Sequence, residues 1–124
     1  NELAAIGIQT ISLSDTVGSA HPDSISLLFS SLIADFNQIE FGAHFHAYPD
    51  KWYEKIHTAY IAGCRRFDGT IRGRGGCPMA SDELVGNIPM EKLCSYFTSH
   101  NSLPVAFNYL AFESAYNFSN KIFI

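Results

Sequence analysis

The sequence predicts an α/β fold in which the strands run parallel within one domain. Three observations carry this. Short β-like segments alternate with segments whose apolar residues recur at helical spacing. The intervening helices are about a dozen residues long, the length a crossover between parallel strands requires. No low-complexity linker divides the 124 residues, and 47% hydrophobic content is enough for one core.

Residues 1–7 read as the end of a helix, with Gly7 able to take a left-handed C-terminal cap. Residues 9–13 (Gln-Thr-Ile-Ser-Leu) read as the first strand, running into Ser14-Asp15-Thr16-Val17-Gly18. Pro22 is suited to a first helical turn, and Ile25, Leu28, Phe29, Leu32, Ile33 and Phe36 then fall on one helical face. The second strand spans about residues 39–46. Pro49 and Asp50 open a second helix with Tyr53, Ile56 and Tyr60 on its apolar face, closed by Gly63. Residues 64–68 are placed as a third strand because they lie between that helix and a glycine-rich loop, residues 69–87. So long a loop is either functional or without fixed structure. Pro89 starts a third helix with Met90, Leu93, Cys94 and Phe97 buried, and after Pro104 a C-terminal helix is expected over residues 105–121. The aromatic residues of that last helix do not share one face, which suits covering another element better than holding a cofactor.

A net charge of −4 with no basic run argues against nucleic acid or an anionic membrane as partner. No apolar run approaches the roughly 20 residues of a membrane span. Three cysteines, Cys64, Cys77 and Cys94, are an odd number without metal-finger spacing and suit a reducing compartment.

In parallel α/β folds, chemistry gathers at the C-terminal ends of strands. Asp15, His44, His46, Cys77 and Asn87 all fall there. In a strand His44 and His46 share one face while Phe45 points the other way. Such a pair either ligates a metal ion or is hydrogen-bonded in a core or cleft. Asp15 caps a turn or takes part in catalysis, and Asn87 stands where an N-cap of the third helix would. Cys77 is either a packed thiol or one activated by Arg72 and Arg74 nearby. His21, His57 and His100 are isolated and receive no role.

At Ile11-Ser-Leu-Ser-Asp-Thr-Val-Gly18, Gly42-Ala-His-Phe-His46, Gly73-Arg-Gly-Gly-Cys-Pro78 and Val85-Gly-Asn87 the chain resembles the 3-hydroxy-3-methylglutaryl-CoA lyases. These belong to a superfamily of divalent-metal lyases and synthases built on (β/α)8 barrels. The likeness is strongest over residues 3–98, and the cysteine loop sets the lyase branch apart from the related synthases. The resemblance implies the last three strand–helix units of a barrel plus a C-terminal helix, about residues 104–122, with residues 1–124 the C-terminal portion of one domain. A complete barrel takes about 250 residues, so a longer enzyme is implied.

The resemblance further implies His44, His46 and Asn87 as ligands of Mg²⁺ or Mn²⁺. It places Asp15 near the substrate's tertiary hydroxyl and makes Cys77 an acid–base group for the enolate of acetyl-CoA. An acyl-CoA substrate, cleavage to acetyl-CoA and acetoacetate, a homo-oligomeric complete enzyme, and a bacterial cytoplasmic or mitochondrial matrix location follow from the same likeness. A Claisen-type synthase of the superfamily and a non-catalytic partial barrel are the alternatives. The chain departs from the family at Ala47-Tyr48-Pro49, where Asp-Thr usually follows the second histidine, and nothing matches the Arg-Asp pair of the family's first strand.

Overall fold

The computed structural model describes residues 2–76 and 85–122. Three strands, β1 (Thr10–Asp15), β2 (Glu40–Ala47) and β3 (Arg66–Phe67), form a parallel sheet in that order. Helices α2 (Pro22–Asp35) and α3 (Trp52–Ile61) make the two crossovers and pack against each other. A short α1 (Glu2–Ala5) precedes β1, and Gly7 takes the expected left-handed conformation at φ +86°.

The register of β1 on β2 runs from Thr10 opposite Glu40 to Asp15 opposite Phe45. Alternation along β2 divides its residues between two faces. Phe41, Ala43, Phe45 and Ala47 are buried in the core with Ile25 and Phe29 of α2 and Ile56 and Ala59 of α3. Phe45 meets Phe29 edge to face at 6.2 Å between ring centroids. His44 and His46 therefore occupy the opposite face, at the strand's C-terminal end.

Several boundaries differ from the sequence reading. The first strand continues through Ser14 and Asp15, because pairing with His44 and Phe45 fixes them. The third strand shrinks to two residues. Cys64 lies outside it, fully buried, its thiol donating to the carbonyls of Phe41 and Arg66. Pro49 and Asp50 lie in a turn closed by the Lys51 amide on the Tyr48 carbonyl, so α3 begins only at Trp52. The C-terminal helix, α5 (Tyr109–Ile122), starts later than residue 105 because the Asn108 side chain accepts a hydrogen bond from the Ala111 amide and so acts as N-cap. Asn87, considered for that job at α4 (Met90–Ser99), instead lies in β4 (Gly86–Asn87), and Pro89 precedes the helix.

The described ends of the glycine-rich loop are stitched together. Thr70 donates its amide to the Ile88 carbonyl and accepts from the Met90 amide. A 3₁₀ turn (Ile71–Gly73) follows, with Gly73 at φ +63°, where a Cβ would lie 2.8 Å from the Asn87 carbonyl oxygen. Only glycine meets both demands.

Candidate metal centre

Strand β2 ends in the two imidazoles, and β4 runs antiparallel to it with Asn87 directly opposite His46. The sequence placed Asn87 some forty residues from His46. The fold brings them to adjacent backbone positions.

Each histidine is anchored through the same ring nitrogen. His46 is buried, and its Nδ1 lies 3.0 Å from the Asp15 carbonyl oxygen. A carbonyl only accepts, so that nitrogen carries the proton and a neutral ring keeps its lone pair on Nε2. His44, half-buried, places Nδ1 2.5 Å from Oδ1 of Asp68, just beyond β3. The carboxylate imposes the same choice. The rings stand 5.2 Å apart, nearly perpendicular. Asn87 is fixed by the same logic. Its side-chain nitrogen donates to the Arg74 carbonyl at 3.0 Å, so its Oδ1 is the atom left to act as a ligand.

Two imidazoles protonated at Nδ1 and one amide oxygen are a donor set suited to a divalent cation with open positions. A ligating histidine whose other nitrogen is held by a carboxylate or carbonyl is the usual supporting arrangement. Among the described residues, no group of three or more His, Cys, Asp or Glu side chains is placed to hold a metal ion by itself. The donors here are neutral, and a carboxylate ligand would have to come from elsewhere.

Asp15 is brought to this centre differently from the expectation. Its position opposite Phe45 places its side chain on the helix-packed face, away from the histidines. There its carboxylate forms a buried ion pair with Lys55 of α3, Nζ to Oδ2 2.5 Å. Its backbone carbonyl, not its carboxylate, meets His46. Cys77 lies outside the described residues. Arg72, considered as an activator of that thiol, is committed to α5. Its guanidinium stacks on the Tyr116 ring at 3.8 Å and donates to Ser119 Oγ at 2.9 Å. His57 and His100 join an aromatic cluster around Tyr96: His57 Nδ1 lies 2.9 Å from its hydroxyl, and His100 stacks on its ring.

Asp68 and Lys55 escaped the sequence reading, though both left a signal. Asp68 immediately follows a strand, where reactive groups collect. Lys55 sits in the i, i+3, i+4, i+7 series Trp52, Lys55, Ile56, Ala59, a cation on a core-facing stripe.

With the geometry in hand, the class can be stated. The chain belongs to the HMGL-like family, whose model matches residues 1–118. It is 35% identical over 94 residues to a hydroxymethylglutaryl-CoA lyase of Pseudomonas mevalonii, covering 73% of this chain and 30% of that one. An HMG-CoA lyase structure from Brucella melitensis superposes with a TM-score of 0.82 over 98% of this chain and 42% of that one, at 23% identity, and shares the fold. An HMG-CoA lyase from Acinetobacter baumannii, in complex with coenzyme A and 3-methylmalate, matches 86% of this chain and 34% of that one with a TM-score of 0.70 at 30% identity. The chain thus spans under a third of the curated relative's length. No helix among the described residues is long and apolar enough to cross a membrane.

Proposed function

We propose that these residues are the C-terminal part of a (β/α)8-barrel lyase that cleaves 3-hydroxy-3-methylglutaryl-CoA to acetyl-CoA and acetoacetate. The observation that carries this reading is the pairing of Asn87 across from His46, with both histidines anchored at Nδ1. It is the arrangement a divalent-metal site of this family needs. His44, His46 and Asn87 hold Mg²⁺ or Mn²⁺, which when bound supplies Lewis acidity and a template for the substrate's hydroxyl and carboxylate oxygens.

The chain's own residues then divide the work. Asp68 and the Asp15 carbonyl keep each imidazole proton on Nδ1. In the reaction a base contributed by strands preceding these residues takes the tertiary hydroxyl proton. The carbon–carbon bond breaks with its electron pair passing to the thioester's α-carbon as the C=O of acetoacetate forms, and Cys77 gives a proton to the resulting acetyl-CoA enolate. Asp15 serves through its carbonyl and ion pair, not by touching substrate. The family's Arg-Asp pair, and with it the carboxylate ligand, comes from preceding strands of a longer protein. In a closed barrel the first strand, which carries that pair, lies beside β3, and the strand just before these residues pairs with the outer side of β1. The coenzyme A complex of the Acinetobacter relative supports an acyl-CoA substrate. The complete enzyme is a homo-oligomer of the bacterial cytoplasm or mitochondrial matrix.

The test is made on the intact protein. Wild type should release acetoacetate from 3-hydroxy-3-methylglutaryl-CoA in a Mn²⁺-dependent assay. His44→Ala and Asn87→Ala should weaken Mn²⁺ binding, and Cys77→Ser should lower kcat with KM nearly unchanged. Condensation of acetyl-CoA with a 2-oxo acid instead would assign the synthase branch. Unaltered Mn²⁺ affinity in both ligand variants would remove the metal site.

A further inference from the structure

Lys55 lies on the core-facing side of α3, and its side chain is 5% exposed. Burying an ammonium is costly unless every proton finds an acceptor. Here all three do. Nζ donates to Asp15 Oδ2 at 2.5 Å, to the Gly18 carbonyl at 2.8 Å and to the His46 carbonyl at 3.0 Å. These acceptors come from the end of β1, the turn after it and the end of β2.

The bonds close a ring. Lys55 holds the Asp15 side chain and the His46 backbone, while the Asp15 carbonyl takes the proton of His46 Nδ1. His46 is thereby held at two points, its backbone through its own carbonyl and its ring through the Asp15 carbonyl. Gly18 completes the cradle. Its φ is +72°, and a Cβ there would stand 2.6 Å from Val85 Cγ1 and 3.3 Å from the His46 carbonyl oxygen.

We propose that Lys55 is a positioning residue: by clamping Asp15 against the end of β2 it sets the ring orientation and the Nδ1–H tautomer of His46. The assignment of that ring as a ligand rests on the lyase reading; the clamp itself does not. Without the clamp the end of β1 is located by its pairing with β2 alone, and the Asp15 carbonyl is held less firmly against Nδ1. The proton then distributes over both nitrogens, and the molecules with Nε2–H cannot present that lone pair to a cation.

Lys55→Met alone leaves a buried carboxylate without its partner and is expected to destabilise the fold, so the decisive variant is the double substitution Lys55→Met with Asp15→Asn. It removes both charges together and should recover thermal stability relative to Lys55→Met. Two readouts are taken on the intact protein: imidazole ¹⁵N–¹H correlation spectra without metal, and Mn²⁺ titration. Wild-type His46 should show the Nδ1–H tautomer, which the double variant should lose. His44, anchored by Asp68, should keep its tautomer in both. Mn²⁺ affinity of the double variant should fall about 10-fold or more. A wild-type His46 protonated on Nε2, or an unchanged His46 tautomer in the double variant, overturns the proposal. An unchanged Mn²⁺ affinity despite a lost tautomer overturns its functional half. If the tautomer shifts as expected but wild type itself binds no Mn²⁺, the lyase reading falls and the clamp stands.

Discussion

Strands β1 and β2 are neighbours in one parallel ladder, yet they live in different surroundings. β2 has β1 on one side, β3 on the other and β4 across its end, and six of its eight residues are buried. β1 pairs with β2 alone among the described residues, and only Asp15 is buried, by its pair with Lys55. Parallel strands are ordinarily covered on both faces. Thr10, Ser12 and Ser14 are exposed on the face that carries the histidines, and Ile11 lines an open groove with Leu3, Leu32 and Phe36. β2 is thus a finished central strand, and β1 is the boundary of what these residues build. The two histidines proposed as metal ligands sit on the finished strand.

The largest expected effect breaks this contrast directly. Phe45→Ala removes a ring packed edge to face on Phe29 and should cost about 3–5 kcal/mol in chemical denaturation. Ile11→Ala on β1 should cost well under that in the 124-residue chain, because its side chain is only partly buried. In the longer protein proposed above, whose preceding units would cover β1, the Ile11 cost should rise toward the roughly 2–5 kcal/mol of a buried aliphatic residue. Equal costs for Ile11→Ala in the two lengths would deny that anything packs there.

A smaller effect sharpens the comparison within β2 itself. Its two histidines are anchored by different means, His46 by a backbone carbonyl and His44 by the half-exposed Asp68 carboxylate. A side-chain anchor can be deleted without touching the ring it holds. Asp68→Ala should weaken Mn²⁺ binding by about 10–100-fold with little change in thermal stability, the pair being exposed. An unchanged affinity, measured by titration on the intact protein, would reduce the 2.5 Å contact to a surface ion pair.

The same contrast explains what was legible beforehand. Elements whose evidence is local were found: helix α2, with Ile25 and Phe29 of its expected apolar face buried though Leu28 is exposed, the alternation that sets Phe45 against His44 and His46, and the left-handed Gly7. Boundaries fixed by partners were not. Nothing within residues 9–15 says that Ser14 and Asp15 continue the strand, since pairing with His44 and Phe45 decides it. Asn108 capping α5 and Asn87 entering β4 show the same limit, because an asparagine before a helix looks alike in both cases. At the site, motif residues could be named one by one. Which face Asp15 turns to depended on register, and the partner that meets it there is a lysine forty residues away.

The last prediction concerns Cys64, whose thiol lies beneath β2 and donates to the Phe41 carbonyl. Burial is the main cause that pushes it up from 9.0 to about 11. Cys94 on α4 is also raised by burial, with Glu91 adding to the effect. The thiolate is the nucleophile, so a thiol that keeps its proton at pH 8 in a closed site should resist alkylation until the protein unfolds. Peptide mapping after iodoacetamide treatment at pH 8 should find Cys64 unlabelled in the native protein and labelled in denaturant. At neutral pH the shift contributes no pH dependence, because folded and unfolded chains both keep the proton. Above about pH 9 the unfolded chain releases it while the folded chain holds it to about 11, so stability should fall across that interval and then level. Replacing Cys64 with alanine should remove that component of the slope while leaving the remainder of the alkaline profile. An identical profile in the variant, or ready native labelling of Cys64, would mean that β2 is less closed on its helix-packed face than its buried Phe41, Ala43 and Phe45 indicate.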